Sequence, residues 1–398
     1  MSDLKVLDLY SGLGGLSLGV AIALRPKEIV GLEINKNAVD TYNLNLARYN
    51  AKSFRQDVLQ WEPKGNYDLI IGGSPCEPFS IANPKRKGEK HPLFPTLKRF
   101  YDIVLELEPQ AFIHENVKGL LSPRHRSIYE GQVRRLKDRY LIANGILNSA
   151  DFGVPQKRYR LITVGIHRSL GKTPSLPTPT HSEKPVVTIF GTMLTWLTLR
   201  EAIQDIMNIP PTTADILRQE QVERIKRERE NTKGIHWGKM VFPDDLDKPA
   251  RTISSHTLEG TKRETIVIPV TEHVLTSKAG WVGHSDWGSR ILSLDKPSYT
   301  ITHAHRGGQL IETLYRRLTV REALRIQSFP DWWNFPQDVS ITAKFKLIGE
   351  AVPPILSYKI ARHLAITMGW EWYPPKQEDF QLPYFERAFP ELLAVTQR

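Results

Sequence analysis

The strongest constraint on the fold is an alternation. Over the first 170 residues, short apolar runs bounded by glycine or turn residues alternate with helix-length stretches. Residues 4–10 (LKVLDLY), 28–34 (EIVGLEI), 67–71 (YDLII), 110–114 (QAFIH) and 160–166 (RLITVGI) read as strands. Residues 16–24, 37–49 and 97–107 read as helices. This order predicts an α/β fold: a doubly wound, mostly parallel sheet with helices on both faces. Such sheets bind ligands beyond the carboxyl ends of their strands. The unusual residues gather at those ends: Ser11-Gly12, Glu33, Asp57, Ser74-Pro75-Cys76 and Glu115-Asn116.

After residue 171 the texture changes. Pro174, Pro177, Pro179 and Pro185 mark a linker. Residues 190–310 are rich in Thr, His and Trp and lack helical periodicity, apart from a charged helix near 214–230. They predict a smaller, irregular, β-containing domain. Within it, residues 246–253 (LDKPARTI) recur as 294–301 (LDKPSYTI), each after a Trp-Gly pair. Two copies are too few for a solenoid, so they read as two similar turn-plus-strand units that pack together. Residues 318–327 form a predicted helix with Thr319 as N-cap and Glu322 completing a capping box. Pro353-Pro354 opens a last helix through Leu364, and an aromatic, proline-rich tail follows.

The chain has 54 Lys and Arg against 43 Asp and Glu, a net charge of +11. Residues 51–200 hold 23 basic and 13 acidic residues, so nearly all the excess sits there. A concentrated basic field points to an anionic partner, with nucleic acid the leading candidate. The single cysteine, Cys76, excludes an internal disulfide and a multi-cysteine zinc site. Together with the absence of an 18-residue apolar run or a basic leader, it predicts a cytoplasmic protein with no membrane span.

Residues 8–15 (DLYSGLGG) place a glycine turn between a strand and a helix. Glycines let a ligand approach the backbone, and a helix N-terminus favours a carboxylate or phosphate. Glu33, at the next strand end, has the position of an acid that binds ribose hydroxyls. The turn is not G-x-G-x-x-G, which disfavours a dinucleotide. Asp57 is placed to accept from an adenine amino group, so the three together predict an adenosine-bearing ligand. Cys76 lies in a loop leaving a strand, a poor place for an inert core thiol. Lys85, Arg86, Lys87 and Lys90 follow in a stretch that reads as a mobile lid, and nearby cations favour thiolate. Glu115 ends a buried strand as a candidate acid, base or hydrogen-bond partner. Arg158 and Arg160, two apart, point to one strand face.

These segments, in this order, resemble the cytosine-5 DNA methyltransferases of the prokaryotic restriction-modification type. Residues 8–15 resemble the cofactor loop, Pro75-Cys76 the nucleophile motif and Glu115-Asn116-Val117 the Glu-Asn-Val motif. Gln156, Arg158 and Arg160 match Gln-x-Arg-x-Arg, residues 316–330 the helix motif after the recognition domain, and residues 349–354 the closing Gly-Asn-x-Val-Pro motif. The chain departs from the family at Glu77 (usually Gln), at Glu350 (usually Asn) and at Lys90-His91, ahead of Leu93-Phe94, where an Arg is common.

The resemblance implies a methyltransferase-type sheet with a recognition domain. Residues 1–185, completed by 340–370, would be catalytic, 186–339 would hold the recognition domain and helix motif, and 371–398 would be a packed tail. It implies methyl transfer from S-adenosylmethionine, leaving S-adenosylhomocysteine, to carbon 5 of a flipped-out cytosine in duplex DNA. Cys76 would be the nucleophile, with Glu115, Arg160 and Arg158 around the base. Tyr10, Ser11, Gly12, Gly14, Gly15, Glu33, Ile34, Asp57, Val58, Pro75 and Val352 would meet the cofactor. Ser80, Lys85, Arg86 and Lys87 in the lid, and Arg251, His256, Tyr299, His303, His305 and Arg306 around the repeat, would meet DNA. A monomer acting separately from any cognate restriction endonuclease is expected. A non-catalytic DNA-binding protein, an RNA methyltransferase and a thiol hydrolase remain the competing readings.

Overall fold

The computed structural model describes residues 2–79, 90–188, 191–207, 217, 219–230, 243–253, 267–269 and 315–393. Strands β1 (Lys5–Leu9), β2 (Glu28–Glu33), β3 (Ala51–Arg55), β4 (Leu69–Gly73), β5 (Ala111–Val117) and β6 (Tyr140–Asn148) belong to the main sheet, as does β8 (Tyr159–His167), which follows the two-residue β7 (Gln156–Lys157). Its seven strands run in the order β3-β2-β1-β4-β5-β8-β6. The first five are parallel to their neighbours, and β8 and β6 are antiparallel additions at one side. The predicted doubly wound, mostly parallel sheet is therefore present. Gly72 of β4 has no room for a side chain, because a Cβ there would strike the Leu9 carbonyl.

Helix α1 (Gly15–Leu24), with the sequence GLSLGVAIAL, is apolar on every side, as befits a helix enclosed by protein. All ten of its residues are buried. The later helices are α2 (Lys36–Leu46), α3 (Pro95–Leu107), α4 (Arg126–Leu136), α5 (Leu199–Ile203), α6 (Gln219–Glu230), α7 (Val320–Ile326), α8 (Ile341–Glu350) and α9 (Pro354–Met368). Helix α9 packs on α1. Ser357 Oγ donates to the Leu16 carbonyl at 2.6 Å, and a Cβ on Gly19 would collide with Ser357 and the Tyr358 backbone. One core cluster lies around α1, α9 and the tail, where Phe380, Tyr384 and Phe389 are buried. The other joins the opposite sheet face to α3 and α4.

One sequence boundary moves. The strand expected at 110–114 continues to Val117, because β8 pairs with it through Val117↔Arg160. Glu115 thus sits inside the ladder rather than at the end of the strand, and Asn116 pairs with Leu161. Strand β6 and helix α4 were not expected, and β3 was expected only through its end at Asp57. Both strands lie at sheet edges and carry polar or glycine residues that blur the alternation. The capping box at Thr319 is present: Glu322 N donates to Thr319 Oγ1 at 3.2 Å and Thr319 N to Glu322 at 2.7 Å.

Small sheets connect the later chain to the body. His181–Ser182, Val186–Thr188 and Gly191–Thr195 form one, joining residues on both sides of position 185. Val267–Pro269 pairs with Tyr315–Arg317. The first repeat copy contributes Ala250–Arg251, which pairs in parallel with β7. The second copy lies outside the described residues.

Gly19→Ala forces the α1–α9 contact apart. It should destabilise the protein by about 1–3 kcal/mol, the usual cost of overpacking. Urea unfolding measures this, and an unchanged midpoint would show that α9 does not rest on Gly19 as described.

Candidate active site

The glycine loop follows β1. Gly12 and Gly14 have φ of 51° and 87°, a left-handed region in which side chains are disfavoured, and Gly14 N donates to the Ser11 carbonyl at 2.9 Å. A Cβ on Gly15 would overlap the Val352 carbonyl, so the loop and the segment after α8 are in direct backbone contact. The Glu33 carboxylate accepts from Gly12 N at 3.0 Å and Asn35 N at 2.8 Å. Burial raises its pKa while those two amides oppose the rise. Beside it Ile34 is exposed, and Asp57, half-buried at the next strand end, accepts from Leu59 N at 2.9 Å.

Other residues of the expected cofactor set face inward. Ser11 Oγ bonds Ser53 Oγ at 2.9 Å, Tyr10 OH donates to the Thr96 carbonyl at 2.9 Å, and Val58 is buried in a core cluster. What remains open is the Gly12 backbone, Glu33, Ile34 and Asp57. A Cβ on Gly12 would meet only the Tyr10 carbonyl, at 3.8 Å, so there is space above the loop. That cradle and acidic strand end fit an adenosine-bearing ligand.

The nucleophile loop leaves β4 at Gly73. Asn116 Nδ2 donates to the Ser74 carbonyl at 3.1 Å and to Ser74 Oγ at 3.0 Å. His114 Nε2 bonds Ser74 Oγ at 3.0 Å, and its Nδ1 bonds Tyr101 OH at 3.0 Å. Burial pushes the His114 pKa down to about 3, so it is a neutral structural imidazole with both nitrogens engaged. Sequence reasoning named Asn116 but not its anchoring role, and missed His114. The available signal was three consecutive polar residues, His114 to Asn116, in an otherwise apolar strand.

Glu115 and Arg160 face each other from neighbouring strands, with Arg160 Nε at 2.8 Å from Glu115 Oε1. The absence of a side chain at Gly73 makes room for this carboxylate, since a Cβ there would sit 3.1 Å from Glu115 Oε2. Desolvation pushes the Cys76 thiol up to about 11; Arg160 pulls it down, and Glu115 and Glu350 oppose that pull. The expectation of a thiolate thus differs from the resting state. The lid cations Lys85, Arg86 and Lys87 lie outside the described residues, and burial outweighs the arginines.

Arg158 is buried at 1% exposure. Its Nη1 donates to the Ile253 carbonyl at 3.1 Å, both terminal nitrogens reach the Gly349 carbonyl at 3.0 Å, and Nη2 reaches Ala351 at 2.9 Å. Gln156 Nε2 donates to Gln327, whose Nε2 donates to Ala351 at 2.6 Å. Arg158 therefore holds the framework, whereas Arg160 stands by Glu115. Thr252 Oγ1 also donates to the Lys157 carbonyl at 2.8 Å, so the backbone of the first repeat copy braces this motif. At the rim, Lys118 lies over Tyr159 and Lys157 over Trp196, cation–aromatic pairs of a kind suited to a nucleic-acid surface. The side chain of Arg251, and Ser80, His256, Tyr299, His303, His305 and Arg306, lie outside the described residues. Among those described, no group of three or more His, Cys, Asp and Glu is placed to hold a metal, and no helix is long and apolar enough to cross a membrane.

Because Cys76 is the only cysteine, its titration can be read directly by alkylation. With a thiol near 11, the rate with iodoacetamide should climb about tenfold per pH unit through neutrality without levelling below about pH 9. Arg160→Met should push the rise to still higher pH. A plateau near pH 8 would contradict the half-buried, protonated thiol.

A sequence model described as C-5 cytosine-specific DNA methylase matches residues 4–365. The Type II methyltransferase M.AplI of Arthrospira platensis is 30% identical over 391 residues, covering 96% of this chain and 91% of its own. M.FnuDI of Fusobacterium nucleatum, also a Type II methyltransferase, is 27% identical over 368 residues, covering 92% and 95%. In fold, a mutant of Spodoptera frugiperda DNMT2 superposes with a TM-score of 0.61 at 17% identity, over 92% of this chain and 99% of that one. The Dnmt2 methyltransferase of S. pombe gives 0.59 at 17% identity, over 91% and 99%.

Proposed function

The chain belongs to the C-5 cytosine-specific DNA methylase family, and from that premise we propose that it methylates carbon 5 of a specific cytosine in duplex DNA through a Cys76–C6 adduct on a base turned out of the helix. The observation that carries this reading is the Glu115–Arg160 pair, 2.8 Å apart, coupled electrostatically to Cys76 at the strand ends beside the glycine loop.

Cytosine C5 is a poor carbon nucleophile until a group adds at C6. Cys76 supplies that group: its sulfur forms a bond to C6, and the C5–C6 electron pair becomes available at C5. The thiol gives its proton to solvent as it adds, and among the described residues Arg160 exerts the strongest favourable charge on the thiolate. As addition places charge on the ring, N3 takes up a proton from solvent and donates it in a hydrogen bond to the Glu115 carboxylate, while Arg160 donates to O2. When bound, S-adenosylmethionine supplies an electrophilic methyl group. Glu33 and Asp57 hold its ribose and adenine, and Gly12 gives it backbone access. Loss of the C5 proton then expels the Cys76 sulfur and restores the aromatic ring. The base has to leave the stack, because a duplex hides both faces of the C5–C6 bond.

The division into a catalytic unit (1–185 with 340–370), a recognition unit (186–339) and a tail (371–398) belongs to the same proposal. So do DNA contacts by the lid and the repeat loops, action as a monomer in the cytoplasm, and service in a restriction-modification pair.

Cys76→Ser should abolish transfer of labelled methyl groups to DNA while DNA and cofactor binding persist, because a serine hydroxyl is barely ionised near neutrality. Glu33→Ala should weaken S-adenosylmethionine binding by about 1.5–3 kcal/mol. Bisulfite sequencing of DNA from expressing cells identifies the modified cytosine. Near-normal turnover by Cys76→Ser would overturn the nucleophile assignment.

A further inference from the structure

We propose that Glu350 is the residue by which this protein distinguishes the cationic methyl donor from its neutral product. The inference rests on the reading that S-adenosylmethionine occupies the glycine-loop site.

The placement of Glu350 comes from the backbone. It is the last residue of α8. The carbonyls on either side, Gly349 and Ala351, are fixed to buried Arg158 at 3.0 and 2.9 Å. Gln327 adds a bond to Ala351 at 2.6 Å, and the Val352 carbonyl lies against Gly15. Glu350 is thereby held at the seam between the glycine loop and the nucleophile loop. Among the described residues, its charged neighbours are Lys346 on its own helix at 4.0 Å, Glu33 from β2, Glu77 from the nucleophile loop and Arg158. Cys76 also feels the Glu350 charge.

A donor with its ribose at Glu33 and its methyl group directed at a base on Cys76 has its sulfur between those two residues. Glu350 is electrostatically coupled to both. Before transfer that sulfur is a sulfonium cation. Afterwards the S–CH3 bond has broken, its electron pair has stayed on sulfur, and the product is a neutral thioether. Desolvation, with Glu77 and Glu33, raises the Glu350 pKa to about 7, although the 42% of its side chain open to solvent moderates the effect. A nearby cation lowers a carboxyl pKa. Binding the donor near neutral pH therefore ionises Glu350 and sends its proton to solvent. Once the sulfur is neutral, the carboxyl regains a proton from solvent and the product loses an attractive partner. The amide more usual at this position, noted above, carries no charge and cannot act in this way.

The test is calorimetry from about pH 6 to pH 8 in buffers of different ionisation enthalpy, with S-adenosylmethionine and S-adenosylhomocysteine as probes. Wild-type protein should release more protons on binding the donor than the product near pH 7, and its preference for the donor should grow with pH. Glu350→Gln should remove the extra proton release and lower the donor-to-product affinity ratio by about five- to tenfold, the effect of one charge at moderate screening. Its affinity for the neutral product should stay near wild type, which also shows that the variant folds. Lys346→Met removes a cation that holds the Glu350 pKa down, so the pH dependence should move to higher pH. An unchanged ratio and unchanged proton release in Glu350→Gln would overturn the inference. Failure of wild-type protein to bind either probe would instead overturn the cofactor reading, and this inference with it.

Discussion

Arg158 places a guanidinium in the interior with its hydrogen bonds directed at backbone carbonyls, and two stretches distant in sequence are built around it. Ile253 comes from the first repeat copy, and Gly349 and Ala351 come from the end of α8. Burial lowers its pKa to about 9, still well above neutrality, so the charge persists and needs those carbonyl dipoles. Their arrangement fixes where the closing segment runs. That segment in turn sets the Val352 carbonyl against Gly15 and leaves Glu350 at the seam. A lysine has no planar fork and could not span these acceptors.

The same logic separates two arginines that look alike in sequence. Arg158 works on the framework, whereas Arg160, two residues on, pairs with Glu115. On the other side, β5 outruns its parallel partner β4, because antiparallel β8 continues the ladder to Val117. That extension carries Asn116 to Ser74 and positions the cysteine loop from below. The site is thus organised before any ligand arrives, and preorganised polar groups stabilise developing charge more effectively than groups that must reorient. The half-buried thiol stays protonated at rest, so its reactivity depends on what enters beside Arg160.

Much of this was legible in the sequence. Strong apolar runs such as LKVLDLY and EIVGLEI, and the Thr319–Glu322 capping box, are local signals whose structures form as expected. Edge strands β3 and β6 were harder to read, because an edge position tolerates the polar residues and glycine they carry. The residues of the site were nameable, but their division of labour was not. Nothing local says that Arg158 turns toward carbonyls about 190 positions away, or that desolvation at Cys76 outweighs its cations. Both are tertiary effects. The repeat showed the same limit: its first copy pairs with β7 as a brace, a role its internal pattern could not convey.

The central claim is that Cys76 bonds covalently to C6 of cytosine while Glu115 and Arg160 hold the base. Genomic DNA amplified with 5-fluorodeoxycytidine in place of deoxycytidine tests it most directly, because fluorine cannot leave C5 as a proton does and the adduct cannot resolve. Incubation with protein and S-adenosylmethionine, followed by nuclease and protease digestion and mass spectrometry, should find the Cys76 peptide carrying one methylated fluorocytosine nucleotide. An unmodified Cys76 peptide, on a preparation that methylates ordinary DNA, would contradict the account.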